Sequence, residues 1–350
     1  MSVSEMTGRQ RFLAAANLQP VDTTPVWFMR QAGRCLPEYR QLRRKYSFIE
    51  LAHTPELAVQ ATLMPVDRFG VDGAVLFADI MLPLEGMGVD FEIKPGVGPV
   101  IANPIRTMED VEKLRVVGPE EGNPYVLEAL RMLRSALGDR AATLGFAGAP
   151  WTLACYLVDG KPTKEYPKTK AMMYGEPEIW NALMNKLTRV TELYLQGQID
   201  AGADVVQVFD SWLGLVDEQS YRQHVQPYTA RILESLRGKA PTIHFSTGTG
   251  HLLGAIRDAN PDMISVDWRI RLEHAWDIIG GDKGIQGNLD PTMLFAPWSQ
   301  VEEAARDILQ QARGRNGHIF NLGHGIHPET DANQLQRLSQ FVHDFGRSID

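Results

Sequence analysis

From end to end, short apolar runs alternate with longer stretches whose hydrophobic residues recur every three or four positions. The runs fall at 25–29 (PVWFM), 73–78 (GAVLFA), 142–146 (ATLGF), 204–209 (DVVQVF), 242–245 (TIHF), 263–267 (MISVD), 284–287 (GIQG) and 318–322 (HIFNL). Most of their positions are β-branched or aromatic, and Gly, Asp or Pro flank them, as expected of strands buried on both faces of a parallel sheet. Between them the helices have legible ends. Thr54-Pro55-Glu56 reads as an N-cap with proline in the first turn, and Gly70 as the stop. Asn123-Pro124 opens a helix that carries Leu127, Leu130, Leu133 and Leu137 on one face and ends at Gly138. Ile179, Leu183, Leu187 and Val190 mark another apolar stripe. Ser299 and Glu302 have the spacing of a capping box, and Asp331 is placed to cap a last helix bearing Leu335, Leu338 and Val342.

Eight strand–helix units in a row predict an α/β fold, a single-domain (β/α)8 TIM barrel spanning residues 1–350. The chain exceeds the ~250 residues typical of that barrel, so it needs insertions. Residues 82–117, rich in Gly and Pro, follow the second strand and hold a candidate hairpin at 91–101 (FEIKPGVGPVI). A doubly wound open sheet is the other arrangement these units allow.

Composition narrows the partners. The formal net charge is −8, which argues against nucleic acid or an anionic membrane surface. An acidic ligand would have to be drawn in by a local basic patch. Cys35 and Cys155 are the two cysteines, too few for a disulfide scaffold or a multi-cysteine zinc site. Residues 1–20 lack the basic-then-apolar pattern of a signal peptide. The most apolar stretch, 145–158, is interrupted by Pro150 and is shorter than the ~20 residues of a membrane helix. A soluble, cytoplasmic protein is expected.

In such a barrel reactive groups belong at the C-terminal ends of strands. Those positions hold Arg30 and Arg34 after the first run, Asp79 after the second, Tyr156 beyond the third, Asp210 and Ser211 after the fourth, and His324 after the eighth. The first of these loops carries Arg30, Arg34, Arg40, Arg43, Arg44 and Lys45 against the single acid Glu38. Guanidinium groups pair with carboxylates in a planar geometry that lysine cannot copy. Arg40, Arg43, Arg44 and Lys45 read as a solvated helix face, whereas Arg30 and Arg34 lie close to the barrel mouth. Asp79 is either a site carboxylate or the cap of the next helix, and Tyr156 either a ligand contact or a core tyrosine. Ser211 lacks the G-x-S-x-G elbow of a hydrolase and reads as a hydrogen-bond partner. His324, between glycines, has an accessible ring. His244, His251 and His327 read as structural, since no second metal ligand lies at the right spacing.

The segments PVWFMRQAGRCLPEYR and GFAGAPWTLACYLVDG, with LFADI, FDSWLG, GNLDP and NLGHGI in order after or between them, resemble the uroporphyrinogen decarboxylase family over essentially the whole chain. Ala147, Cys155, Leu213 and His327 vary its pattern, and the last two bear on the pocket wall. The resemblance implies a homodimeric barrel that converts uroporphyrinogen III to coproporphyrinogen III with neither metal nor organic cofactor. It implies that Arg30 and Arg34 bind substrate carboxylates, that Asp79 faces the pyrrole N–H groups, and that Tyr156, Ser211 and His324 make the remaining polar contacts. Arg30, Asp79, Tyr156 and His324 are the expected catalytic set, with the proton donor open among Arg30, Tyr156, His324 and a water they hold. A zinc- and corrinoid-linked methyltransferase on the same barrel is the alternative, but here His244-Phe245-Ser246 stands where those relatives place a His-x-Cys motif, and no cysteine follows Cys155. A non-catalytic tetrapyrrole-binding protein is the other.

Overall fold

The computed structural model describes residues 4–347 apart from Pro95. The described residues form strands β1 (Gly73–Val75), β2 (Phe91–Lys94), β3 (Gly98–Ile101), β4 (Ala142–Gly148), β5 (Val205–Asp210), β6 (Thr242–Ser246), β7 (Met263–Ser265), β8 (Gly284–Gln286) and β9 (His318–Ile319), with helices between them. All but β2 and β3 make one parallel sheet in the order β1-β4-β5-β6-β7-β8-β9. β2 and β3 are the expected hairpin, antiparallel with Phe91 opposite Ile101. Pro95, in its turn, lies outside the described residues.

The sheet is curled into a barrel rather than open, because side chains from strands that are not neighbours meet inside it. Gln286 on β8 donates to Gln207 Oε1 on β5 at 3.1 Å and to Ser265 Oγ on β7 at 3.0 Å, and accepts from Trp27 Nε1 at 2.8 Å. A doubly wound sheet would hold β5, β8 and residue 27 apart. Around this polar centre the interior is apolar, and helices cover the outside. The helix Pro124–Leu137 buries Leu127, Leu130, Leu133 and Leu137 and packs on the helix Pro55–Phe69. Each such leucine contributes about 1.5–3 kcal/mol.

The first expected strand departs from the sequence reading. Residues 25–29 make one parallel bridge, Val26 to Phe320, and no ladder. Pro25 has no N–H to give, and Arg30 turns the chain with φ 62, so the extended backbone is short. Towards β1 side chains take over from the ladder. Val26 N donates to Asp72 Oδ2 at 2.8 Å, and the Gln31 carboxamide links Phe28 N and the Gly73 carbonyl at 2.9 Å each. Four other ladders also end early, at Val75, Ser265, Gln286 and Ile319, while single backbone bonds such as Leu76 N to Leu144 O and Val266 N to Gln286 O continue towards the rim.

Helix ends differ in detail. Thr54 occupies the N-cap position but its side chain makes no cap bond, so Pro55 supplies the start. Ser299 and Glu302 form no capping box. Their helix, Trp298–Gln311, begins two residues earlier than that box requires, with Pro297 at the cap, and Glu302 instead accepts from Trp298 Nε1 and Arg306 Nη2 at 2.7 Å each. Asp331 does cap, accepting from Asn333 N at 2.9 Å. No helix among the described residues is long and apolar enough to cross a membrane.

Candidate active site

Strand register sets the floor of the site. Phe146 on β4, Phe209 on β5 and Phe245 on β6 face inward near the C-terminal ends of their strands, with ring centroids 5.4 and 5.3 Å apart in succession. The His324 ring stands edge-on to Phe245 at 6.2 Å. Sequence reading assigned these phenylalanines no role. Their signal was present all the same, as the last inward aromatic position on three consecutive strands.

Four polar groups gather over that floor. Arg30 follows the 25–29 segment in a left-handed conformation that is rare for a residue with a side chain. Its side chain is exposed at the mouth. Asp79 lies beyond β1 and keeps some water contact while protein surrounds most of its carboxylate. Loss of hydration raises its pKa; the N–H of Met81 and the charge of Arg30 pull it back, and Glu85 pushes it further up. Asp79 is not the cap of the next helix, where Met81 holds that position without a side-chain cap bond; its Oδ1 accepts from Met81 N at 2.9 Å in the turn leading into Leu82–Gly86.

Tyr156 sits on the helix Pro150–Asp159, which follows β4. It is buried, with its ring edge-on to Tyr166 at 6.3 Å and Trp212 at 6.2 Å. Burial pushes its phenol up to about 12, and the charges of Asp79 and Arg30 both reach it. His324 is lowered to about 4, first by burial and then by the positive charge of Arg30. The charge of Arg30 thus reaches Asp79, Tyr156 and His324 alike. At neutral pH both the phenol and the imidazole are uncharged.

Two expected residues are not joined to this group by any contact among the described residues. Arg34 is exposed on the same loop; its carbonyl accepts from Arg40 Nη1 at 2.9 Å and its charge acts on Tyr39. Ser211 is half-buried, and its carbonyl accepts from Thr247 Oγ1 at 3.0 Å. Arg40 and Arg43 spend their guanidiniums on the carbonyls of Arg34 and Tyr46, as expected of a helix face outside the pocket.

A brace behind the site was also missed. Asp210, fully buried at the end of β5, accepts from Thr152 Oγ1 at 2.8 Å, four residues before Tyr156 on the same helix. Burial raises Asp210 to about 7 and lowers the neighbouring His244, 3.9 Å away, to about 4. The imidazole is uncharged at neutral pH, whereas the carboxyl titrates close to it. His244 is fully buried on β6, and neither of its ring nitrogens has a hydrogen-bond partner among the described residues.

A groove of about 620 Å³ runs along the β2–β3 hairpin, lined by Glu85, Asp90, Glu92 and Lys94 among others. Its acids outnumber its lysine, the wrong sign for an anionic ligand. The cluster near the phenylalanine floor instead offers an exposed guanidinium, Arg30, as a partner for a carboxylate.

Residues 7–345 match the family model described as uroporphyrinogen decarboxylase (URO-D). The chain belongs to the uroporphyrinogen decarboxylase family. It is 51% identical over 339 residues to the uroporphyrinogen decarboxylase of Sorangium cellulosum, covering 97% of each chain. Identity to the uroporphyrinogen decarboxylase of Nocardioides sp. is 50% over 337 residues, covering 96% of this chain and 97% of the other. Among solved structures, a methyltransferase from Methanosarcina mazei superposes with a TM-score of 0.82 over 97% of this chain and 99% of its own, at 23% sequence identity. That likeness shows that the uroporphyrinogen decarboxylase family shares this barrel with other chemistry. All the rim residues described above lie within the family match.

Proposed function

We propose that this chain is a uroporphyrinogen decarboxylase, converting uroporphyrinogen III to coproporphyrinogen III by removing four acetate carboxyls as carbon dioxide. What carries the reading is end-to-end similarity to proteins of that name, at about half identity. The site supports it chemically. An apolar floor of three phenylalanine rings suits a large macrocycle, and an exposed arginine at its edge suits a polyanion.

Loss of carbon dioxide directly from a pyrrole acetate would leave an unstabilised carbanion. Protonating the adjacent ring α-carbon first makes an iminium-like sink. The C–CO₂ bond then breaks, its electron pair enters the ring, and an exocyclic methylene forms. A proton added to that methylene gives the methyl, and loss of the ring proton restores the pyrrole. Net uptake is one proton per carboxylate lost.

In this reading Arg30 and Arg34 hold carboxylates, and Asp79 faces the nitrogens where positive charge develops. Tyr156, Ser211 and His324 complete the polar contacts. The substrate supplies its own electron sink, so the reading needs no metal or organic cofactor. It includes one barrel domain over residues 1–350, a homodimer and a cytoplasmic setting, which follow from the resemblance. Anaerobic incubation with uroporphyrinogen III, then oxidation and separation of the products by carboxyl number, tests the activity. Four-carboxyl product is expected; unchanged eight-carboxyl substrate refutes the reading.

Two substitutions probe the contacts. Arg34→Lys keeps the charge and loses the planar fork, so KM should rise about tenfold with kcat little changed; equal KM values would remove Arg34 from binding. His324 protonates only as pH falls towards about 4. His324→Gln should therefore cost about 10-fold or more in turnover while leaving the shape of the rate profile unchanged between roughly pH 6 and 8. A limb in that range that vanishes in the variant would show that His324 titrates there.

A further inference from the structure

Gly325 follows His324 in the loop after β9 and is buried. It does not use the left-handed backbone region, so an alanine there meets no conformational objection. What a Cβ would meet is one side chain. It would stand 2.4 Å from Arg30 Cδ, 2.8 Å from Arg30 Cγ and 3.0 Å from Arg30 Nε. The two loops are clamped beside this contact, since Ile326 N donates to Met29 O at 2.9 Å. The backbones are held in register, so the arginine would have to move.

We infer that Gly325 is a positioning residue: its missing side chain is the track on which the aliphatic stem of Arg30 lies, delivering the guanidinium towards Asp79 and His324. The inference rests on the proposed decarboxylase reading only for its effect on rate. Its geometric content stands apart. Arg30 begins from a left-handed backbone, and its stem crosses Gly325 on the way over the mouth. A methyl group would push that stem aside by roughly an ångström, and a displacement of that size in an active site costs about 10²-fold.

The test is a cycle of four proteins, wild type, Gly325→Ala, Arg30→Ala and the double variant, with crystal structures of the wild type and Gly325→Ala. Gly325→Ala should fold with a urea midpoint close to wild type and lose about 10²-fold in kcat/KM for uroporphyrinogen III. Single-turnover measurements extend the comparison to the slow Arg30→Ala background. There, no stem remains to be displaced, and adding Gly325→Ala should cost nothing further. An equal loss in both backgrounds, or an Arg30 side chain unmoved in the Gly325→Ala crystal, overturns the inference. A wild type that leaves uroporphyrinogen III untouched refutes the decarboxylase reading instead, and the crystal structures then decide the geometric claim alone.

Discussion

Asp79→Asn should lower kcat for uroporphyrinogen III by about 10²–10³-fold and change KM little. Asparagine has nearly the same shape, and its amide oxygen can still accept from Met81 N, the bond that starts the turn into Leu82–Gly86. The substitution therefore separates two features of Asp79, keeping the turn bond to Met81 N and removing the charge. A fixed anion facing the pyrrole nitrogens matters most once the ring carries a positive charge, so the loss should appear in kcat. The pH profile gives a second reading. Burial raises Asp79 above the ordinary 3.8, and lowering the pH through that raised value neutralises it. The acid limb of kcat/KM should thus lie above 3.8 in the wild type and be absent from the variant. A variant with near-normal kcat, or one retaining the limb, would remove Asp79 from the chemistry. Asp79→Ala provides the contrast, losing charge and turn bond together, at an added stability cost of about 1 kcal/mol for the lost hydrogen bond.

The parts of the fold legible in the sequence were those set by local pattern. Strands β4, β5 and β6 announce themselves as apolar runs, and the leucine stripe of Pro124–Leu137 is buried as its spacing implies. The parts that were not legible depend on groups distant in sequence. That residues 25–29 make a single bridge is decided by Asp72 and Gln31, whose side chains stand in for ladder bonds on the β1 side. Nothing in PVWFM tells an observer that its neighbour will be a carboxylate rather than a strand. The capping box at Ser299 failed for a local reason, proline at the preceding cap position, where the indole of Trp298 then captured Glu302.

The site divides in the same way. Arg30, Asp79, Tyr156 and His324 are candidates because barrels place reactive groups at strand ends, and the charge of Arg30 reaches the other three. The contact of Gly325 with Arg30 is between residues 295 positions apart and could be read only from coordinates. Arg34 shows the limit of position as a guide. It shares the loop with Arg30, yet its field falls on Tyr39.

Asp72→Ala should cost about 3–5 kcal/mol of stability, the largest effect expected from any single substitution in the barrel wall. Asp72 is buried where the 25–29 segment lacks a ladder towards β1. Oδ1 accepts from Arg11 Nη1 at 2.6 Å, while Oδ2 accepts from Val26 N at 2.8 Å and lies 2.8 Å from His343 Nε2. One carboxylate therefore joins the helix Gly8–Ala16, the start of the 25–29 segment and the last helix. Its removal leaves Val26 N–H unpaired in the interior, and it takes one of two carboxylate partners from a guanidinium that is only 5% exposed. Asp22 remains to Arg11, which is why the cost stays at the level of a broken pair and does not reach that of an isolated buried charge. Asp72→Asn should fall between, since an amide can accept from Val26 N but cannot balance Arg11. Urea unfolding followed by fluorescence, compared at a common m-value, measures both. Where the variant still folds, its KM should rise, because the segment that loses its anchor is the one that ends in Arg30. A loss under about 1 kcal/mol would mean that the backbone bond from Asp72 N to Val26 O and the apolar packing around Trp27 close the barrel without the carboxylate.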